Sequence, residues 1–518
     1  MRTDVVTMYR DIHSWVGIAC GLFLFTAFYA GAFTMFEGAI GQWTAPPAGL
    51  SPPPALSETP RLIAETLAAR PDAAGEFRII VTPRADLPAR LVWPDHGEAA
   101  AGDEDEHGRE RLLGASFAAD GSLEVAPIAA SGAAGFIDML HQQVGVPLER
   151  DTALIITGIV SLLYAVALIS GVIVLLPSLV KDLFKFRFGR NFKRMWLDIH
   201  NGLGLFSLPF HIVMAVTSVV FAFHDQIYDT QDVVFYDGKI QTMWSRPAVS
   251  PHPPETPLLA GDEIVARVGE QAPGFEVHTL AYRRAPDGRL VLMVWGEDPR
   301  YASRAPEGGL INVDPHDGGI LDRSYLPGAT DGWQPSVNTF FALHFGTFGG
   351  DVIRWNYFVL GLAGAFLIYS GNILWVDARR RRETRGGGRE GRTTQALDRL
   401  TVGWMLGTMA GISLIVAVAK WLPGLGIDAA PWIEPTFFAC FLGAIAWAFV
   451  RPRARIGFEL FGLAAIATAL VPLGSLLGLF GAAWNHPWPL WAVDAVAVAG
   501  VLFFAVHAAR MKRVAVAA

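Results

Sequence analysis

Cysteine is nearly absent: Cys20 and Cys440 are the only two among 518 residues, and both sit in apolar runs. Two lone thiols cannot build a thiolate-ligated iron–sulfur cluster, an all-cysteine zinc site or a disulfide scaffold. Any redox chemistry therefore needs another ligand type. Charge is scarce as well. Charged residues make up 17% of the chain, where a soluble globular protein carries about 25%. Bases are outnumbered, with a net charge of −7, which argues against general nucleic-acid binding. What is abundant is hydrophobicity: 52% of residues are hydrophobic and the mean hydropathy is +0.35. That balance is the signature of a membrane protein.

Eight stretches are apolar enough to span a bilayer, which takes about 20 residues each. They fall at 14–36, 153–176, 197–223, 355–376, 401–420, 435–450, 456–480 and 488–508. The sixth is short. The first is too long for a cleaved signal peptide, and no small-residue cleavage site precedes Phe36-Glu37, so we expect it to be retained.

Basic residues between the spans set the orientation. The segment 177–196 holds Lys181, Lys185, Arg187, Arg190, Lys193 and Arg194 against the single acid Asp182. The segment 377–400 carries Arg379, Arg380, Arg381, Arg382, Arg385, Arg389, Arg392 and Arg399. Arg451, Arg453 and Arg455 follow span six, and Arg510, Lys512 and Arg513 follow span eight. All four clusters fall on the side of the N-terminus, so both termini are expected in the cytoplasm. The long segments 37–151 and 224–354 then lie outside. Acids outnumber bases by 18 to 8 over 37–151 and by 18 to 9 over 225–351. Acidic soluble domains are simply easy to export; attraction of a cationic substrate or metal is the sharper reading.

Both outer segments read as small α+β modules. In the second, 262–268 reads as a helix. Val277–Arg283 and Leu290–Trp295 form a hairpin about Asp287-Gly288, and 309–314 is a last strand ending in Pro315-His316-Asp317-Gly318-Gly319. In the first, Phe77–Val81, Arg90–Trp93 and Leu112–Phe117 are the expected strands, and Asp103–Glu106 a solvated loop. Pro46-Pro47 and Pro52–Pro54 mark a stiff linker.

An internal repeat is the most informative feature. Met8–Gly17 opens span one and Met195–Gly204 opens span three, with Met, Asp-Ile-His and the last Gly coinciding without a gap. Leu140-His141 precedes span two and Leu343-His344 precedes span four; Ser170-Gly171 and Ser370-Gly371 follow within those spans. Each copy starts and ends inside, so the copies are parallel, related by an axis along the membrane normal. That axis places His13 and His200 at one depth and His141 and His344 at another. Asp11 and Asp198 read as helix N-caps.

Histidine in a bilayer is costly and usually functional, although any one of these could be an interfacial residue bonded to a neighbour. His211 adds a fifth, 11 residues after His200. On one continuous helix, 11 residues turn 1100°, about 20° from three full turns, and rise about 16.5 Å. Both imidazoles would then share a face at two depths. Axial ligation of two haems suits this pattern; a proton relay or a histidine-lined transition-metal path is the alternative. Gly17, Gly202, Gly204, Gly346, Gly349 and Gly350 would allow a flat macrocycle to approach the backbone, with ordinary helix packing the simpler reading of Gly17 and Gly204.

Residues 198–211, Asp-Ile-His-Asn-Gly-Leu-Gly-Leu-Phe-Ser-Leu-Pro-Phe-His, resemble the PepSY-associated transmembrane helix family. Leu343-His344-Phe345-Gly346 and Gly309–Gly319 look like that family's outer-helix and PepSY-module ends. The resemblance covers about residues 1–380 and leaves the four C-terminal spans (401–518) as an extension. It implies an iron-regulated inner-membrane protein similar to haem-containing ferric-siderophore reductases.

The expected fold is a mainly α polytopic membrane protein of about eight transmembrane helices, with two periplasmic α+β, PepSY-like domains and an internal parallel repeat. The expected function is haem b electron transfer through two haems to a periplasmic acceptor, a ferric siderophore chelate foremost. His13 and His200 are expected to hold the cytoplasmic haem. His344 is expected on the outer one, with His211 or His141 opposite; His141, about ten residues before span two, is free to be solvated. No GxGxxG fingerprint follows a cytoplasmic strand, so the electron donor is a separate protein or quinol. A transporter of the iron/siderophore uptake system fits parallel repeats too, but no span in the repeat carries a mid-membrane Asp, Glu, Lys or Arg. A non-catalytic PepSY regulator of a periplasmic protease leaves the matched histidines without a purpose. In the extension, Glu459 and Asp494 either handle quinol protons or, as expected, pair within it.

Overall fold

The computed structural model describes residues 3–95, 111–128, 131–178, 192–239, 248–303, 308–329, 334–480, 484 and 490–517. Lys181, Lys185, Arg187 and Arg190 of the basic loop, and the Asp103–Glu106 run, lie outside the described residues.

In chain order, the helices are α1 (Thr3–Thr34), α2 (Glu37–Thr44), α3 (Thr59–Ala69), α4 (Ala133–Gln142), α5 (Arg150–Leu175), α6 (Phe192–Phe206), α7 (Leu208–Ala222) and α8 (His224–Gln231). They continue as α9 (Gly261–Gln271), α10 (Gln334–Phe345), α11 (Gly350–Glu383), α12 (Arg392–Gly424), α13 (Ala430–Val450), α14 (Arg453–Gly478) and α15 (Trp491–Ala517). The strands are β1 (Glu76–Ile80), β2 (Leu91–Pro94), β3 (Leu112–Phe117), β4 (Leu123–Ile128), β5 (Glu276–Arg284), β6 (Leu290–Glu297), β7 (Gly309–Val313) and β8 (Ile320–Tyr325). Two compact units result. The helical unit comprises Met1–Thr44, Ser131–His224 and Trp355–Ala518, and the sheet unit comprises Ala45–Ala130 and Asp225–Arg354.

In the helical unit, α1, α5, α11, α12, α13, α14 and the Trp491–Arg513 part of α15 are each long and apolar enough to cross a membrane. The eighth candidate, span three, is not one straight helix. α6 and α7 meet at Ser207 with a bend of 68°. Pro209 is the cause: it stands at the start of α7, has no N–H to donate to the preceding turn, and its ring crowds the carbonyl four residues back. The helix-face arithmetic linking His200 to His211 therefore fails, because it assumes an unbroken ladder. The N-cap reading of Asp11 and Asp198 fails too, since both lie inside helices that begin at Thr3 and Phe192.

Lipid is as apolar as leucine, so packing between spans relies on small residues and close contact. α12 shows how. Gly403, Gly407 and Gly411 form a stripe against α13, where an added Cβ would lie 2.8 Å from Ile445 Cα, 3.0 Å from Ala444 Cβ and 2.8 Å from the Phe437 ring. The core of the unit gathers Phe25, Tyr29, Phe136, Tyr164, Met214, Ile415 and Phe437. The Arg379–Arg382 run is tied down: Arg380 pairs with Glu390 and Asp398, and Arg453 pairs with both acids.

In the sheet unit the two segments expected as separate modules join in one antiparallel sheet of order β4-β3-β2-β1-β5-β6-β7-β8. Each contributes one amphipathic helix followed by a four-stranded meander. The seam is β1 against β5, where Phe77 stands opposite Tyr282 with rings stacked 4.8 Å apart. Strand β1 is short and apolar, and pairing it with β5 buries what would be an exposed edge. α3 and α9 supply Leu62, Ile63, Ile264 and Val268 to a core shared with Ile79, Leu91, Trp93, Leu280, Leu292 and Val313. Each such side chain contributes about 1.5–3 kcal/mol on burial. The Asp287-Gly288 hairpin forms as read, with Gly288 at φ 84°; β4, β8 and α3 were not foreseen. The buried Arg90 guanidinium donates to the carbonyls of Pro54, Ile80 and Val81, so the proline linker is pinned to the sheet.

Candidate functional site

Three imidazoles in the helical unit are held by one recurring arrangement. His13 on α1 has Nδ1 2.8 Å from the Ala167 carbonyl oxygen on α5. His200 on α6 has Nδ1 3.1 Å from the Leu367 oxygen on α11. His141 on α4 has Nδ1 2.9 Å from the Ala27 oxygen on α1. A carbonyl only accepts, so Nδ1 carries the proton in each ring and Nε2 keeps its lone pair. Four residues beyond each carbonyl stands a glycine beneath the ring. An added Cβ would lie 2.9 Å from the His13 ring at Gly171, 3.2 Å from the His200 ring at Gly371, and 2.6 Å from the His141 ring at Gly31. A helix exposes its carbonyl to a lateral imidazole only where the next turn has no side chain in the way. Ser370 completes the His200 site: its hydroxyl donates to the Leu367 oxygen and lies 3.0 Å from His200 Nδ1.

His13 and His200 are brought together, with ring centres 6.3 Å apart and ring planes at 72°. Two imidazoles bonded at about 2 Å on opposite sides of one iron hold their ring centres about 6 Å apart, and the spacing of this pair is compatible with that.

His211 is held differently. It is 1% exposed. Its Nδ1 lies 2.6 Å from the Tyr164 hydroxyl, which also lies 3.2 Å from the His211 carbonyl oxygen. The hydroxyl donates to that oxygen and accepts from Nδ1–H. Nε2 is then buried with no hydrogen-bond partner among the described residues. A buried orphan of this kind calls for an explanation, an unseen ligand being one. Phe28 lies edge-on to the ring at 5.4 Å, and a Cβ added at Gly364 would lie 3.2 Å from it.

Of the five histidines read from the sequence, His13 and His200 meet, while His141 and His211 both reach the same turn of α1, at Ala27 and Phe28. His141 is not a solvated loop residue; α4 packs it against α1. His344 lies on α10 and groups with the sheet unit. The glycines singled out from the sequence are not the ones under the rings. Gly17 faces open space, Gly204 touches Leu367, and Gly346, Gly349 and Gly350 take positive φ in the turn after α10. Ser170-Gly171 and Ser370-Gly371 were visible as repeat markers, and that was the signal for the true partners. Tyr164, Gly31 and Gly364 left none.

The profile of the PepSY-associated TM region matches residues 10–378. The chain belongs to that family. No curated protein matches it. The matched stretch of this PepSY-associated protein contains all five histidines and ends before α12, so α12–α15 are an addition to the family core. Within that addition Glu459 accepts from Arg451 Nε at 2.9 Å and Trp447 Nε1 at 2.8 Å. Asp494 reaches beyond it: Oδ2 accepts from Ser475 and from Trp43 Nε1 on α2, both at 3.1 Å. Lys420, not foreseen, is 1% exposed, bonds Ser475 at 3.1 Å and lies 3.9 Å from the Trp43 ring centre.

Proposed function

We propose that this PepSY-associated membrane protein transfers electrons across the bacterial inner membrane through two b-type haems to a periplasmic acceptor, ferric iron in a siderophore chelate. Two imidazole arrangements support the reading: half-buried His13 with His200, and buried His211 with its orphaned Nε2. In this reading the helix repeat is parallel and both meanders lie in the periplasm with both termini inside.

The chain's own part is positional. Main-chain carbonyls and the Tyr164 hydroxyl fix the tautomer and aim Nε2, as second-shell partners do for metal-bound histidine. The neutral imidazole is the form that ligates, and the apolar surround excludes water from it. Bound haem supplies one-electron transfer at a potential tuned by axial ligands and burial. Reduction to Fe(II) weakens the hold of hard oxygen donors on the iron and releases it. Electrons come from a separate cytoplasmic protein or quinol.

The deciding measurement is the visible spectrum of the purified full chain. A dithionite-reduced b-type signal with two haems per protein is expected. Its absence from protein purified out of haem-replete cells overturns the proposal.

A further inference from the structure

A second constellation lies wholly within the sheet unit, at the β7–β8 turn. Asp314 directly follows β7 and is 1% exposed. Its Oδ1 accepts the His316 backbone N–H at 2.9 Å; its Oδ2 accepts from Ser250 Oγ at 3.1 Å and His252 Nδ1 at 3.0 Å. Ser250 and His252 come from the segment leading to α9, which is stitched to the turn by Leu259 N–H to the Pro315 carbonyl at 3.0 Å. Asp317 is exposed on the same turn, and one ligand atom each from His252, Asp314 and Asp317 lies within 4.8 Å of the others.

Two observations separate this cluster from an ordinary capped turn. Buried carboxylates are paired with a cation or hold a metal. The ion-pair partner of Asp314 among the described residues is His252, charged only when protonated, and the nearby Arg267 donates to the Asp317 main-chain carbonyl. Second, His316 is 8% exposed and has Nδ1 bound to the Pro257 carbonyl at 3.0 Å. Its Nε2 is buried with no partner among the described residues. The His316 ring centre lies 5.5 Å from that of His252.

We infer that His252, Asp314 and Asp317 form a binding site for a divalent first-row transition ion, next to the buried His316 ring. Mixed imidazole and carboxylate donors favour zinc or ferrous iron over magnesium or calcium. Taking up the ion replaces the His252–Asp314 hydrogen bond and needs only a change of imidazole tautomer. Ser250 stays as the outer partner that orients Asp314. The site stands independently of the haem reading, since none of its residues belongs to the helical unit.

The test is Zn²⁺ titration by calorimetry on the EDTA-stripped full chain in detergent, with zinc X-ray absorption on the product. One zinc per chain is expected at this site, with nitrogen and oxygen donors. His252→Ala and Asp317→Asn should each weaken its binding at least about tenfold, and Ser250→Ala by about tenfold. His278→Ala, in the exposed cluster of Glu276, His278 and Glu297, should leave it unchanged, and haem content should be constant throughout. Asp317 is exposed, so Asp317→Asn decides the matter if His252→Ala does not fold. Wild-type protein that binds no zinc, variants that bind it undiminished, or an all-oxygen shell overturns the inference.

Discussion

The Tyr164 hydroxyl lies 2.6 Å from His211 Nδ1, and both residues are buried. With the hydroxyl donating to the His211 carbonyl, Nδ1 carries the proton and Nε2 is the free nitrogen. Tyr164→Phe removes the acceptor for Nδ1–H while keeping the ring that packs edge-on to Phe28 at 5.6 Å. Second-shell losses of this kind cost about 10–100-fold in metal affinity. We expect Tyr164→Phe to weaken retention of one haem and shift its midpoint potential, leaving the other untouched. A redox titration that superimposes on wild type refutes this role.

At the other pair, the proposed two-haem arrangement predicts that His200→Ala loses about half the bound haem, since His200 would hold one of the two irons. Gly371→Leu, which drives a side chain into the His200 ring, should do the same without touching the imidazole. Pyridine haemochrome quantification reads both. Full retention with an unchanged low-spin spectrum removes His200 from the assignment.

For the proposed outer haem, alanine variants of His211, His141 and His344 separate the expected pairings. His211→Ala and His344→Ala should each retain one haem, and His141→Ala two. If His211→Ala keeps two haems while His141→Ala keeps one, the symmetric pairing of His141 with His344 holds instead. If His344→Ala keeps both, neither scheme survives.

The basic clusters also predict topology. Alkaline phosphatase fusions should be active at positions 120 and 290 and inactive at 185 and 388. Activity at 388 rules out the eight-span arrangement.

In the sheet unit, Asp72 accepts two hydrogen bonds from Arg70 and one from Trp93. Chiefly the Arg70 bonds, against a smaller opposing effect of burial, lower its pKa to about 2. A depressed carboxylate stabilises the fold fully above its unfolded value near 4, and that contribution is lost as pH falls through about 2. The pair is partly exposed, so about 1 kcal/mol is the ceiling. Asp72→Asn should flatten thermal stability between pH 4 and pH 2; an unchanged slope excludes this linkage.

Much was legible beforehand. Apolar runs located the spans because the bilayer demands them over about 20 residues regardless of partners. The Asp287-Gly288 turn, β3 and α9 follow local rules. The matching sequence motifs pointed to His13 and His200 as a pair, and the two rings do lie 6.3 Å apart. The break at Ser207 was written in Pro209, yet apolar composition masked it.

What the sequence by itself determined is therefore whatever depends on neighbours in the chain or on the solvent: a polytopic membrane protein, its spans, its family and its histidines. Tertiary structure alone decided the rest. Only there does β1 find β5 and fuse two meanders into one sheet, a pairing between residues about 200 positions apart. Only there do Tyr164 and His211 meet, and do Asp314 and His252 close on one another. Hydrogen bonds and metal ligation act over about 3 Å, and nothing local in a chain records which distant atoms will come within that reach.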